Sequence, residues 1–129
     1  MQPPSGPDRP GTILLADDDD DSIRVSRAIL EYHGYRVITA CDGRECIELA
    51  RQEVPDLVVM DLWMPALDGF EATRVLKADP ALAHIIVIAV SAYVIDGAQE
   101  RAAEAGCSVF IAKPVEPMAL VAEVRRCLG

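Results

Sequence analysis

The chain has 129 residues, a length that fits one domain. It is 51% hydrophobic, which excludes wholesale disorder, and only 5% aromatic, so aliphatic side chains and alanine must fill the core. A net charge of −9 and a pI of about 4.5 speak against nucleic acid and anionic membranes as partners, and leave room for a bound cation or a basic protein.

Residues 1–11 hold Pro3, Pro4, Pro7, Pro10, Gly6 and Gly11, a composition that reads as a loose extension ahead of a domain over 12–129. Thr12 to Ala16 is a short apolar run, a candidate buried strand, and the acids Asp17 to Asp21 follow it directly. Val25, Ala28, Ile29 and Tyr32 then share one face of a helix that Gly34 stops, with Asp19 to Asp21 capping its start. Tyr35 to Thr39 reads as a second strand, and Asp42 with Glu45 as a capping box. The helix behind them runs to about Glu53, with Cys46, Ile47, Leu49 and Ala50 inward and Pro55 at its end. Asp56 to Met60 is a third strand that delivers Asp61, and Pro65 breaks the chain soon after.

Asp68-Gly69 signals a turn into a helix from about Phe70 to Ala78, which Asp79-Pro80 closes. Ile85 to Val90 is the longest β-branched run and reads as a fourth strand ending at Ser91. A weaker helix over about Ile95 to Ala105 offers Ala98, Ala102 and Ala105 to the core, and Gly106 stops it. Ser108 to Ala112 is a fifth strand, followed by Lys113-Pro114. Pro117 suits the first turn of a last helix, with Val121, Val124 and Leu128 inward. On this reading no output domain is expected after it. The four cysteines (Cys41, Cys46, Cys107 and Cys127) lack metal-ligand spacing and read as core thiols of a reducing compartment. His33 and His84 read as surface residues without chemistry. The N-terminus has no apolar core segment, and the longest mostly apolar stretch falls far short of the ~20 residues of a spanning helix, so the expected location is the cytoplasm.

Strand and helix alternate five times, which implies a parallel sheet with helices on both faces and right-handed crossovers. In such a sheet all strand carboxyl ends lie on one edge. Reading those ends gives Asp17 and Asp18, then Asp61, Ser91 and Lys113. Three clustered carboxylates share a proton or hold a cation, and a small hard cation with oxygen ligands is Mg²⁺. A carboxylate is also a nucleophile toward phosphorus, and Lys113 and Ser91 are suited to balance and sense the charge of a phosphoryl group on Asp61. A calcium loop begun at Asp17, Asp19 and Asp21 fails at Ser22, where glycine is required, and at Ala28, where glutamate is required. A flavodoxin-like small-molecule binder is a rival, but no glycine-rich loop is present to cradle a nucleotide phosphate.

These residues closely resemble the receiver domain of bacterial two-component response regulators, over roughly 12–128. The likeness rests on Ile-Leu-Leu-Ala-Asp17-Asp18, on Val-Val-Met-Asp61-Leu-Trp-Met-Pro65-Ala-Leu-Asp68-Gly69, on Val-Ser91-Ala92, on Glu104-Ala-Gly106 and on Ala-Lys113-Pro114. It implies a flavodoxin-like, doubly wound (βα)5 sandwich with strand order 2-1-3-4-5. It implies a stand-alone signalling protein rather than a classical enzyme. Asp61 would accept a phosphoryl group from a histidine kinase or histidine phosphotransfer protein, with Ser91 and Lys113 completing the catalytic set. Mg²⁺ would be held by Asp18 and Asp61 directly, by Asp17 mainly through water, and by the backbone carbonyl of Trp63. The Lys113–Pro114 bond is expected to be cis, and Phe110 matches the switch aromatic that moves behind Ser91. The fourth helix, fifth strand and fifth helix would form the output face of a monomer or weak dimer. Phe110 lacks a hydroxyl, so switching there would be packing alone, and aromatic residues at Trp63 and Tyr93 are expected to slow self-hydrolysis.

Overall fold

In the computed structural model, which describes residues 11–93 and 96–128, strand and helix alternate throughout. The elements are β1 (Thr12–Ala16), α1 (Asp20–Tyr32), β2 (Arg36–Ala40), α2 (Gly43–Glu53), β3 (Leu57–Asp61), α3 (Gly69–Ala78), β4 (Ile86–Ser91), α4 (Ala98–Ala105), β5 (Val109–Ala112) and α5 (Pro117–Leu128). The strands pair in parallel in the order β2-β1-β3-β4-β5, the doubly wound arrangement expected. Every residue of β1 and β3 is buried, because parallel strands covered on both faces require unbroken apolar runs. The edge strands β2 and β5 are only partly covered.

Alternate side chains of the central strands feed opposite faces. Leu14, Ala16, Val58, Met60 and Val87 pack with Cys46, Ile47 and Ala50 of α2 and with Ala72 and Leu76 of α3. Ile13, Leu15, Leu57, Val59, Ile88 and Val90 pack with Leu30 of α1 and with Leu120, Val121 and Val124 of α5. A third, smaller cluster joins Leu62, Phe70 and Ala89 to Ala102 of α4, with Trp63, Cys107 and Phe110 against it.

The helix starts follow from their caps. Asp19, Asp42 and Asp68 each accept from a backbone N–H in the first turn, at 3.2, 2.8 and 2.9 Å. Glu45 reaches back past the cap, accepting from the Cys41 N–H at 2.7 Å rather than from the Asp42 N–H of the expected box. No side chain caps α4, which begins after Gly97 at φ 85°.

Several expectations need correcting. Of the face assigned to α1, Ile29 packs against the core, but Val25 is 55% and Tyr32 83% exposed, and Leu30 is the fully buried residue. The helix carries two apolar rows, and packing of Leu30 and Ile29 against the sheet and α5 decides between them, leaving Tyr32 outside. At its entry Asp19 N–H bonds to Asp17, and Asp19 in turn receives Asp21 N–H and the Ser22 hydroxyl. The fourth helix begins at Ala98, while the expected start near Ile95 lies outside the described residues, as does the expected extension apart from Gly11. Of the four cysteines, all free, only Cys46 is a core thiol; Cys41 is exposed and the other two are half-buried. His33 is half-buried, with Nδ1 at 3.1 Å from the Arg125 guanidinium. Leu128 is half-buried at the rim of the core, and Leu120, which periodicity had not marked, lies in it. No helix among the described residues is long and apolar enough to cross a membrane.

Candidate functional site

The sheet order brings the ends of β1, β3, β4 and β5 side by side. The chain leaves β1 toward β2 and returns to place β3 on the other side of β1, so the gap between β1 and β3 is the topological switch point where open α/β sheets bind ligands. Asp17 and Asp18 follow β1, Asp61 closes β3, Ser91 closes β4, and Lys113 follows β5. All five residues singled out at the strand ends therefore lie along one rim.

Asp61 is 6% exposed. One of its oxygens, Oδ1, accepts from the Trp63 backbone N–H at 3.1 Å, and Oδ2 accepts from Lys113 Nζ at 3.2 Å. The same ammonium donates to Asp17 Oδ2 at 2.8 Å, while the Lys113 backbone N–H is tied to the Ser91 carbonyl at 2.8 Å. The bond from Lys113 to Pro114 is cis. The fit of α3 against the acceptor strand depends on Gly69, where a Cβ would lie 2.4 Å from the Asp61 carbonyl oxygen. The Asp68-Gly69 pair is therefore a helix cap combined with a close backbone approach, which a turn signal alone does not reveal.

Burial pushes the Asp61 carboxyl up to about 6, and the nearby Asp17 charge adds to this against the pull of the Trp63 N–H and Lys113. Burial works against the Lys113 ammonium, but the hydrogen bond it donates to Asp17 and the charges of both aspartates hold it above its ordinary value. Asp17, Asp18 and Asp61 can each point one carboxylate oxygen into a space where these atoms lie within 4.8 Å of one another. Among the described residues, three hard oxygen donors facing one ammonium leave the rim short of positive charge, and a small divalent cation such as Mg²⁺ fits that donor set.

Ser91 is fully buried, and its hydroxyl is held by Trp63 and Tyr93. The Trp63 indole contact with Ser91 was not legible in the sequence, where Trp63 was expected to lend its backbone carbonyl to a cation and its ring to shielding against hydrolysis. Phe110 is half-buried against the Leu62–Phe70–Ala102 cluster. A cavity of about 290 Å³ opens beside Asp61 and Lys113, and Ser26 and Val25 of α1 line it together with Val59 and Leu120.

The fold and this rim define a doubly wound α/β domain with an acidic site at its switch point, and the chain belongs to the response regulator receiver domain family, which matches residues 13–125. It is similar to the polar-differentiation response regulator DivK of Brucella anthropi, with 35% identity over 120 residues, covering 93% of this chain and 98% of that protein. It is also similar to the signal receiver domain of a signal transduction histidine kinase from Syntrophus aciditrophicus, at 33% identity and TM-score 0.85, over 92% of this chain and 89% of that one. A CheY-like response regulator receiver domain protein from Methanospirillum hungatei aligns at 28% identity and TM-score 0.84, over 91% and 92%. Phosphorylation-dependent signalling in two-component systems is the general work of this family.

Proposed function

We propose that the protein is a phosphorelay receiver in which Asp61 takes a phosphoryl group from the phosphohistidine of a histidine kinase or a histidine phosphotransfer protein. The observation that carries this reading is Asp61 itself, a buried carboxylate at a strand end with one ammonium and two further acids around it. In the transfer a carboxylate oxygen of Asp61 bonds to phosphorus as the phosphorus–nitrogen bond breaks, and the imidazole leaves with the bonding pair. The Trp63 N–H fixes one carboxylate oxygen and so orients the nucleophile. Lys113 already touches the other oxygen and balances charge on the transferred group. Ser91 offers a hydroxyl donor once that group is in place.

Asp17, Asp18 and Asp61, with the Trp63 carbonyl that the family likeness adds, are the residues that would hold Mg²⁺. Bound there, the cation supplies neutralisation of charge on the phosphoryl oxygens. The cavity between α1 and the β5–α5 connection leaves Asp61 reachable from outside by the donor. The output surface in this reading is α4, β5 and α5, through Phe110, in a monomer or weak dimer. Four free cysteines fit a cytoplasmic setting. In the Brucella relative, a chain of this extent is nearly the whole protein.

Acetyl phosphate with Mg²⁺ tests the reading by intact-protein mass. Wild type gains one phosphate that hydroxylamine removes, and Asp61→Asn gains none. Equal labelling of the two, or labelling of neither, overturns it.

A further inference from the structure

Ser91 has no bonding capacity to spare. Its hydroxyl accepts from the Trp63 indole N–H at 3.0 Å and from the Tyr93 N–H at 3.1 Å, and donates to the Tyr93 carbonyl at 2.9 Å. A hydroxyl has one O–H and two lone pairs, so all three are in use. A phosphoryl oxygen is an acceptor. It can engage Ser91 only if the O–H turns away from the Tyr93 carbonyl, and that turn also swings the lone pairs that hold the two N–H groups.

The indole is a well-anchored donor. Its own backbone N–H is fixed on Asp61 Oδ1 at 3.1 Å. Its ring stands edge to face with Phe70 (centroids 5.7 Å apart, planes at 81°) and with Tyr93 (6.2 Å, 90°). Phe70 is fully buried, and the Arg101 guanidinium of α4 lies over its ring at 4.0 Å. Trp63 thus grips the acceptor carboxylate with its backbone and the Ser91 hydroxyl with its side chain, and its ring leans on α4 through Phe70.

We propose that Trp63 is a positioning residue for Ser91: its indole N–H keeps the hydroxyl proton on the Tyr93 carbonyl in the unmodified protein, and the bond is given up when a tetrahedral anion occupies Asp61. The latch rests on the reading of Asp61 as the phosphoryl acceptor. It gives Ser91 in this chain a polar partner that Phe110, which has no hydroxyl, cannot be, and the ring of that partner reaches α4 through Phe70 and Arg101.

The chain has a single tryptophan, so ¹⁵N-labelled protein gives one indole N–H signal. Beryllium fluoride with Mg²⁺, a tetrahedral mimic of the phosphoryl group, is titrated into the full chain. The expected indole signal of free wild type lies downfield of that in Ser91→Ala and exchanges with solvent more slowly. Saturation with the mimic should carry it to the Ser91→Ala position. Trp63→Phe keeps a ring and removes the donor, and should bind the mimic roughly 2- to 10-fold more tightly, the worth of one net hydrogen bond. That gain should vanish in a Ser91→Ala background.

An indole signal already at the Ser91→Ala position, one that does not move on saturation, or a Trp63→Phe gain that is absent or persists without the hydroxyl overturns the latch. Binding of the mimic with an unmoved indole leaves the acceptor reading standing, whereas failure of wild type to bind it overturns both. Should Trp63→Phe not fold, the indole comparison between wild type and Ser91→Ala decides alone.

Discussion

Asp61 carries more burial than one ammonium offsets, and its pH dependence follows from that. Burial, with the Asp17 charge behind it, raises its carboxyl in the folded protein from 3.8 to about 6. A raised carboxyl means the folded state binds the proton more tightly than the unfolded chain. The group therefore costs nothing below pH 3.8, where both states are protonated. Its penalty grows between 3.8 and 6 and is complete above 6. A shift of this size is worth on the order of 3 kcal/mol, taken as an upper bound because the carboxyl interacts strongly with the charges beside it. Asp61→Asn removes the titration. In metal-free buffer its urea midpoint, compared with wild type, is expected to be higher at pH 7.5 by an amount equivalent to about 1–3 kcal/mol more than at pH 4.5. An identical difference at the two pH values would show that the charge is not under strain. The residues of this rim were legible because chemistry-bearing types stand at the ends of apolar runs. The indole of Trp63 was not, because its bond to Ser91 depends on the path of the loop after β3, for which spacing has no signature.

At the scale of elements, the two ends of α2 show what a sequence can and cannot announce. Its start was readable, since Asp42 and Glu45 are the residue types that satisfy free N–H groups. The need for Gly43 was not, because it arises from a distant loop: a Cβ there would lie 1.9 Å from the Leu67 carbonyl oxygen. The phase of α1 was unreadable for a related reason, as two apolar rows compete on that helix and contacts with distant strands and α5 choose between them. The end of α2 breaks the usual rule in the opposite sense. Val54, half-exposed, occupies the left-handed region at φ 43°, ψ 68°, where a β-branched residue is strained and glycine is at ease. Val54→Gly is expected to stabilise the protein by about 1 kcal/mol, as relief of that strain outweighs the added freedom of the unfolded chain. Equilibrium urea unfolding reads this directly, and a lower midpoint than wild type would mean that the contacts of the valine matter more than its backbone.

Across the whole molecule, the alternation of strand and helix made the parallel sheet legible, and the family likeness supplied its order. That order is what assembles the rim. Asp17 and Asp61 become neighbours only because β3 docks beside β1, and Lys113 reaches both only because β5 closes the same edge. The unfolded chain keeps Asp17 beside Asp18 but not Asp61 beside them, so a cation that binds all three prefers the folded state and stabilises it by mass action. Above its dissociation constant, each tenfold rise in Mg²⁺ adds about 1.4 kcal/mol, or roughly 5 °C in thermal midpoint for a domain of this size. Screening is the competing explanation, since a chain with net charge −9 is relieved by any salt. The two separate cleanly. Screening follows ionic strength and is indifferent to one exposed acid among many, whereas site binding depends on Asp18, which is exposed yet belongs to the cluster. Melting curves are therefore expected to climb with Mg²⁺ in wild type and much less with NaCl at matched ionic strength. Asp18→Asn should flatten the Mg²⁺ response while leaving the NaCl response intact. Equal slopes for the two salts, or an Asp18→Asn curve that follows wild type in Mg²⁺, would mean that the acids at the strand ends act only as surface charge.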